Sequence, residues 1–189
     1  DLRRLLESWL SLGGGGYLLT EYLQPHPDLA RIWPKTANTL RVMVLRQRGQ
    51  APRVASSFIR FGSSASGTVD NTDAGGIPCF VDIHTGHFTS GKKRKAGGWV
   101  DLPVHPDTHA LLAGDVPSWD LITRKLVEIS SYIPQVIYMG YDIVVTPQGF
   151  KIIEINSHQG LRLIQSGGGP IFKNEVAKSF FEALGAGKK

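Results

Sequence analysis

Asp142, Glu154 and Asn156 are three oxygen-bearing side chains that flank one tight turn. They lie in the segment Gly140 to Asn156, GYDIVVTPQGFKIIEIN, where two largely apolar runs surround Pro147-Gln148-Gly149. That triplet suits a three-residue hairpin loop with glycine at its left-handed position. With Thr146 facing Phe150, counting outward sets Asp142 directly across from Glu154. Asn156 then lies two residues further along, on the same face. Ile143, Val145, Ile153 and Ile155 are apolar, so the ribbon is expected to be at least half buried. Two opposed carboxylates repel, more strongly as water is removed, and the arrangement calls for a compensating cation. Lys or Arg could supply it. The donor set is all oxygen, however, and suits Mg²⁺ or Mn²⁺ with a shell completed by water and phosphate oxygens. A slip of one residue would instead put the two acids on opposite faces, where they would cap turns or pair with surface bases.

The elements that must hold this ribbon can be traced by periodicity. Leu2, Leu5, Leu6, Trp9 and Leu10 recur at helical spacing, so residues 1–12 read as an amphipathic helix ended by Gly13 to Gly16. The four glycines do not form a phosphate loop, because no strand precedes them and no Lys-Ser/Thr pair follows. Tyr17 to Leu23 reads as a strand, broken at Gln24-Pro25-His26-Pro27 before a short helical turn near Asp28 to Ile32. Thr39 to Arg46 and Arg53 to Phe61 form an antiparallel pair around Gly49. Gly62 to Gly76 is a polar loop too long to be an idle connector, hence a functional candidate. Ile77 to Ile83 and Gly86 to Phe88 make a second hairpin around His84-Thr85-Gly86.

The cluster Lys92 to Lys95, between Gly91 and Gly97, reads as an exposed basic loop, with phosphate contact as the sharper alternative. A helix follows over 118–131, with Trp119, Ile122, Leu126 and Ile129 on one stripe. Strands Ile137 to Val145 and Phe150 to Asn156 come next. A last helix has Pro170 near its first turn and Phe172, Val176, Phe180 and Leu184 on its apolar face. Strands outnumber helices in mixed order, so the fold class is α+β with a mainly antiparallel sheet flanked by helices.

Composition narrows the classes. The 189 residues, 41% apolar and 20% charged, can bury one core or two small lobes with a cleft between them. No apolar run approaches the ~20 residues of a membrane span, and the start carries no secretory pattern. The single cysteine, Cys79, sits in an apolar stretch and reads as a small buried hydrophobe rather than a thiol nucleophile. Its solitude favours a reducing, cytoplasmic setting. A net charge of +5 points to anionic partners. Nucleic acid is not the expected one, because no aromatic residues interleave with the basic ones and no recognition motif accompanies them.

Taken in order, Asn38-Thr39-Leu40-Arg41, Arg60-Phe61-Gly62, Asp70-Asn71, Gly75-Gly76, His105-Pro106, Gly140-Tyr141-Asp142 and Glu154-Ile155-Asn156 resemble the sugar-transfer-associated ATP-grasp family. The resemblance runs from about Tyr17 to Gln165. It implies an ATP-grasp C-terminal lobe and an ATP- and Mg²⁺-dependent ligase that activates a carboxylate as an acyl phosphate. An amine or other nucleophile would then attack, in the synthesis of cell-surface saccharide or peptide precursors. It places Asp142, Glu154 and Asn156 at the metal bridging the ATP phosphates. Thr20, Glu21, Tyr22 and Leu23 fall at the hinge that meets adenine, and Asn38 at a ribose contact. Arg41 would neutralise phosphate or acyl-phosphate charge, and Arg60, counted with it as catalytic, would meet substrate together with Asp70 and Asn71. Residues 1–16 are expected to be a remnant of the N-terminal lobe and 17–189 the C-terminal domain. The lobe that carries a Gly-rich loop and phosphate-holding lysines is expected elsewhere in a longer protein, or else the chain is a minimal variant, and its activity alone is doubtful. A non-catalytic nucleotide-binding module is the alternative.

Overall fold

The computed structural model describes residues 2–11 and 20–186. Among them the strands are β1 (Leu40–Leu45), β2 (Arg53–Phe61), β3 (Ile77–Phe80), β4 (His87–Phe88) and β5 (Gly91–Lys95). They continue with β6 (Gly98–Leu102), β7 (Gly114–Asp115), β8 (Tyr138–Thr146) and β9 (Gly149–Asn156). Helices are α1 (Leu2–Ser11), α2 (Pro27–Ala30), α3 (Trp119–Tyr132), α4 (Arg162–Gly167) and α5 (Glu175–Ala183). Seven strands form one sheet in the order β6-β5-β3-β2-β1-β8-β9, and β4 pairs with β7 in a small second one. All of these ladders are antiparallel, as the α+β reading requires.

Alternation along the central strands sorts side chains to two faces. On β1, Leu40, Val42 and Val44 join Tyr141, Ile143 and Val145 of β8 in one core, closed by Trp119, Ile122 and Leu126 of α3. Met43, Leu45 and Phe58 point the other way, onto Ile164 of α4, Ile171, and Ala177 and Phe180 of α5. Helix α4 has only six residues, too short to be stable alone, so burial of Ile164 must hold it. Fully burying a side chain of this kind stabilises by about 1.5–3 kcal/mol. Arg41 and Arg60 lie on this second face, and there the covering helices leave a cleft.

Several expectations need correction. The strand over Tyr17 to Leu23 does not form where it is described: Thr20 to Gln24 belong to no helix or ladder, and Tyr17 to Leu19, like Gly13 to Gly16, lie outside the described residues. His84-Thr85-Gly86 is a turn, closed by Asp82, but β4 pairs with β7 rather than with β3. Lys92 to Lys95 are not a loop. They form β5, paired with β6 at the sheet edge. The last helix begins at Asn174, whose side chain accepts from the Ala177 amide, and Phe172 and Leu184 are exposed rather than on its buried stripe.

Cys79 is fully buried between β2 and β5, and desolvation pushes its thiol pKa far above the ordinary range. Native protein at pH 8 should therefore resist a thiol-specific disulfide reagent until denaturant is added, then release one equivalent. Rapid labelling of the native protein would contradict this packing.

Candidate functional site

The charged side chains of the second sheet face converge on β8. Residues Arg41, Asp142 and Glu154 are aligned across three neighbouring strands, Arg41 opposite Asp142 and Asp142 opposite Glu154. Asp142 is buried, and Arg41 grips both of its oxygens through Nε to Oδ1 and Nη2 to Oδ2, the latter at 2.6 Å. Such a fork-on-carboxylate geometry needs arginine, since lysine has no second parallel donor. Arg60 extends the network, with Nη2 3.6 Å from Asp142 Oδ1 and Nε 3.5 Å from Asp70 Oδ1. The Arg60 Nε is buried without a hydrogen bond.

The register that sets Asp142 opposite Glu154 arises differently from the expected loop. Thr146 pairs with Gly149, leaving a two-residue turn, Pro147-Gln148. One residue is then regained by a bulge at Ile153, so Ile143 faces Ile152 while Asp142 still faces Glu154. On the opposite face Tyr141 fixes β8 to α3, its hydroxyl 2.8 Å from Ser130 Oγ. Burial raises the Tyr141 pKa, so the phenol stays a neutral hydrogen-bonding group.

Behind Asp142, Tyr138 donates to the Gln159 carbonyl at 2.7 Å, holding that residue over the sheet. Gln159 Oε1 in turn accepts from Arg41 Nη1 at 3.4 Å. Gly140 is required beneath it, because a Cβ there would come 2.0 Å from Gln159 Oε1. Sequence reasoning missed Gln159. The available signal was its place three residues after Asn156, directly beyond the Glu-x-Asn pattern.

The long polar loop is tied down by an acid. Asp70 Oδ2 accepts from the Thr39 amide at 2.6 Å and the Thr39 hydroxyl at 2.7 Å. This commits Asp70 to anchoring the loop against the start of β1. Asn71 is exposed at the mouth of the cleft, capping the 3₁₀ turn Thr72–Ala74 through Asp73 N. Asn38 is fully buried with φ +53°, donating to Trp33 O at 2.7 Å and accepting from Thr36 Oγ1 at 2.9 Å. A ribose has no access to it in this arrangement. Glu21 and Tyr22 are exposed and Leu23 half-buried, and none of the three lines the cleft. His105 is an internal strut, donating Nε2–H to Gly62 O at 2.8 Å while Nδ1 accepts from two amides. Ile143 and Val145 are buried, as expected of the ribbon, but its β9 half is not: Glu154, Ile153 and Ile155 are exposed and Asn156 half-buried.

A cavity of about 470 Å³ opens over Arg41 and Arg60, walled by Asn71 and Thr72, by Arg94 and Trp99 of the β5–β6 hairpin, and by Arg162 of α4. The family model described as sugar-transfer associated ATP-grasp matches residues 3–179. The chain belongs to the sugar-transfer associated ATP-grasp family. No curated protein and no solved structure matches it. Membership assigns the chain to nucleotide-binding domains of the ATP-dependent ligase type, and its antiparallel sheet with flanking helices agrees with that fold. No helix among the described residues is long and apolar enough to cross a membrane.

Whether the ATP-grasp metal would fit is a question of donors. Among the described residues no cluster of three His, Cys, Asp or Glu side chains is arranged to hold an ion unaided. Asp142 and Glu154, directly paired across the ladder with Asn156 beside them, are hard oxygen donors of the number Mg²⁺ uses when phosphates supply the rest. The donor types therefore fit the ion, while in this structure Arg41 holds both Asp142 oxygens.

Removing Arg41 should expose the dependence of the fold on this pair. Arg41→Ala leaves Asp142 with only the distant Arg60, and urea unfolding should show a loss of about 3 kcal/mol. Replacing both partners, as Arg41→Met with Asp142→Leu, should return most of it. A single variant as stable as the parent would show that the pair contributes nothing.

Proposed function

We propose that this chain supplies the phosphate- and substrate-holding sheet of an ATP- and Mg²⁺-dependent ligase. The observation that carries the reading is the ladder pairing of Asp142 with Glu154, with Asp142 gripped by Arg41, which together with Arg60 lines the neighbouring ligand-sized cavity. Family membership supports the nucleotide.

In the reaction a substrate carboxylate oxygen attacks the γ-phosphorus of ATP, the β–γ bridging P–O bond breaks, and ADP leaves. An amine or other nucleophile then attacks the acyl carbon and loses a proton, the C–O bond to phosphate breaks, and inorganic phosphate departs. Neither step needs covalent help from the protein; both need charge neutralised and groups aligned. Asp142, Glu154 and Asn156 would hold Mg²⁺ or Mn²⁺, which when bound supplies charge neutralisation at the phosphate oxygens. Arg41 and Arg60 supply fixed positive charge at the transferring group. Thr20 to Leu23, mostly exposed, is the proposed adenine contact through its backbone, and Asn71 the proposed substrate contact at the cleft mouth. Asn38 and Asp70 are assigned to holding the fold. Saccharide or peptide precursors bearing a carboxylate are the proposed substrate class.

A non-catalytic nucleotide-binding module is the second reading, favoured by one observation: both Asp142 oxygens are already held by Arg41.

The test is Mg²⁺-dependent binding of a fluorescent ATP analogue, followed by ADP release across a panel of carboxylates and amines. Glu154→Ala and Asp142→Ala should each weaken Mg²⁺-dependent binding at least tenfold, about 1.4 kcal/mol. Binding equal to the parent in both variants removes the site assignment. Nucleotide binding without ADP release from any pair favours the binding module.

A further inference from the structure

The cavity over Arg41 and Arg60 carries more positive charge than the transferring phosphate accounts for. Of the residues lining it, four are arginines, Arg41, Arg60, Arg94 and Arg162, and one, Asp73, is acidic. Arg41 and Arg60 are offset by Asp142 and Asp70. Arg94 and Arg162 are not: among the described residues neither forms an ion pair. They belong to different walls, Arg94 to β5, the strand next to the sheet edge, and Arg162 to α4. Polar groups inside are also short of partners, since Arg60 Nε and Thr72 Oγ1 are buried without a hydrogen bond. Trp99, opposite Arg94 in the β5–β6 ladder, gives the wall a flat apolar surface.

From this we infer that the substrate whose carboxylate is activated carries a second anionic group, a carboxylate or a phosphate, held between Arg94 and Arg162 while its body rests on Trp99. The inference rests on the ligase reading for the first carboxylate. The second group is set by the uncompensated arginines alone. Two guanidinium groups lining one cavity from separate elements suit an oxyanion with two or more acceptor oxygens, and a neutral substrate would leave both without a counter-charge.

The experiment is calorimetric binding to the full chain, without nucleotide or metal, of benzoate, isophthalate and 4-carboxyphenyl phosphate. In the parent, at least one doubly charged probe should bind about tenfold more tightly than benzoate. The tighter of the two identifies the second group as carboxylate or phosphate. Arg94→Gln and Arg162→Gln should each remove most of that advantage, and because both side chains are exposed the variants should unfold at the parent temperature. The inference is overturned if benzoate binds as well as both doubly charged probes, or if the advantage survives in both variants. The same protein assayed for Mg²⁺-dependent ATP binding reports on the ligase reading separately. A protein that prefers the doubly charged probe but binds no nucleotide would retain the anion site and lose the ligase.

Discussion

A carboxylate placed in the middle of a seven-stranded sheet and shut off from water has to be neutralised, and the organisation of this protein follows from how that is done. Asp142 is 4% exposed on β8, and the cation that meets it comes from the adjacent strand as the Arg41 guanidinium. Arg60 closes the other side and links Asp142 to Asp70, which in turn ties the long polar loop to the first residues of β1. A buried pair of this kind adds little net stability over an apolar one, while losing one partner is costly. A buried pair of this kind beside a cleft is a candidate for use as well as for packing, and the ATP-grasp family to which the chain belongs is one of nucleotide-binding domains.

The same arrangement divides labour between the two faces of the sheet. One face is continuous apolar packing against α3, anchored by the Tyr141–Ser130 hydrogen bond. The other is packed only partway, by α4, α5 and the turn between them, and the charged residues occupy what is left open. Since neighbouring residues on a strand alternate faces, Tyr141 and Asp142 hold opposite jobs while sharing one peptide bond. Rigid support for Asp142 thus comes from the face that does no chemistry.

Much of this was legible in the sequence, for identifiable reasons. The β1–β2 pair, α3 and the β8–β9 ribbon follow from strong local periodicity, and the motif series carried the family. The Asp142–Glu154 pairing came out as expected even though the turn is one residue shorter, because the bulge at Ile153 restores the count. What could not be read is non-local. Arg41 and Asp142 are separated by 101 positions, and no local pattern says that their strands are neighbours. The Lys92 to Lys95 strand was hidden by its own composition: four consecutive basic residues between glycines have low strand propensity and read as a solvated loop, although they pair with β6. Ile153 and Ile155 mislead in the reverse sense, being apolar residues left exposed on the opposite edge strand, β9. Asn38 resembled a ligand contact, but its positive φ and buried amide make it a structural corner.

At the centre stands the proposal that Asp142, paired with Arg41 in this structure, is the carboxylate that joins Glu154 and Asn156 around the metal of bound ATP. The most direct measurement is a crystal structure with Mn²⁺ and a non-hydrolysable ATP analogue, with the metal located by anomalous scattering. The account predicts an anomalous peak within about 2–2.5 Å of the Asp142 and Glu154 carboxylates, with Arg41 turned from Asp142 toward phosphate oxygens. Bound nucleotide with Asp142 still gripped at both oxygens by Arg41, and the metal held elsewhere, would contradict it.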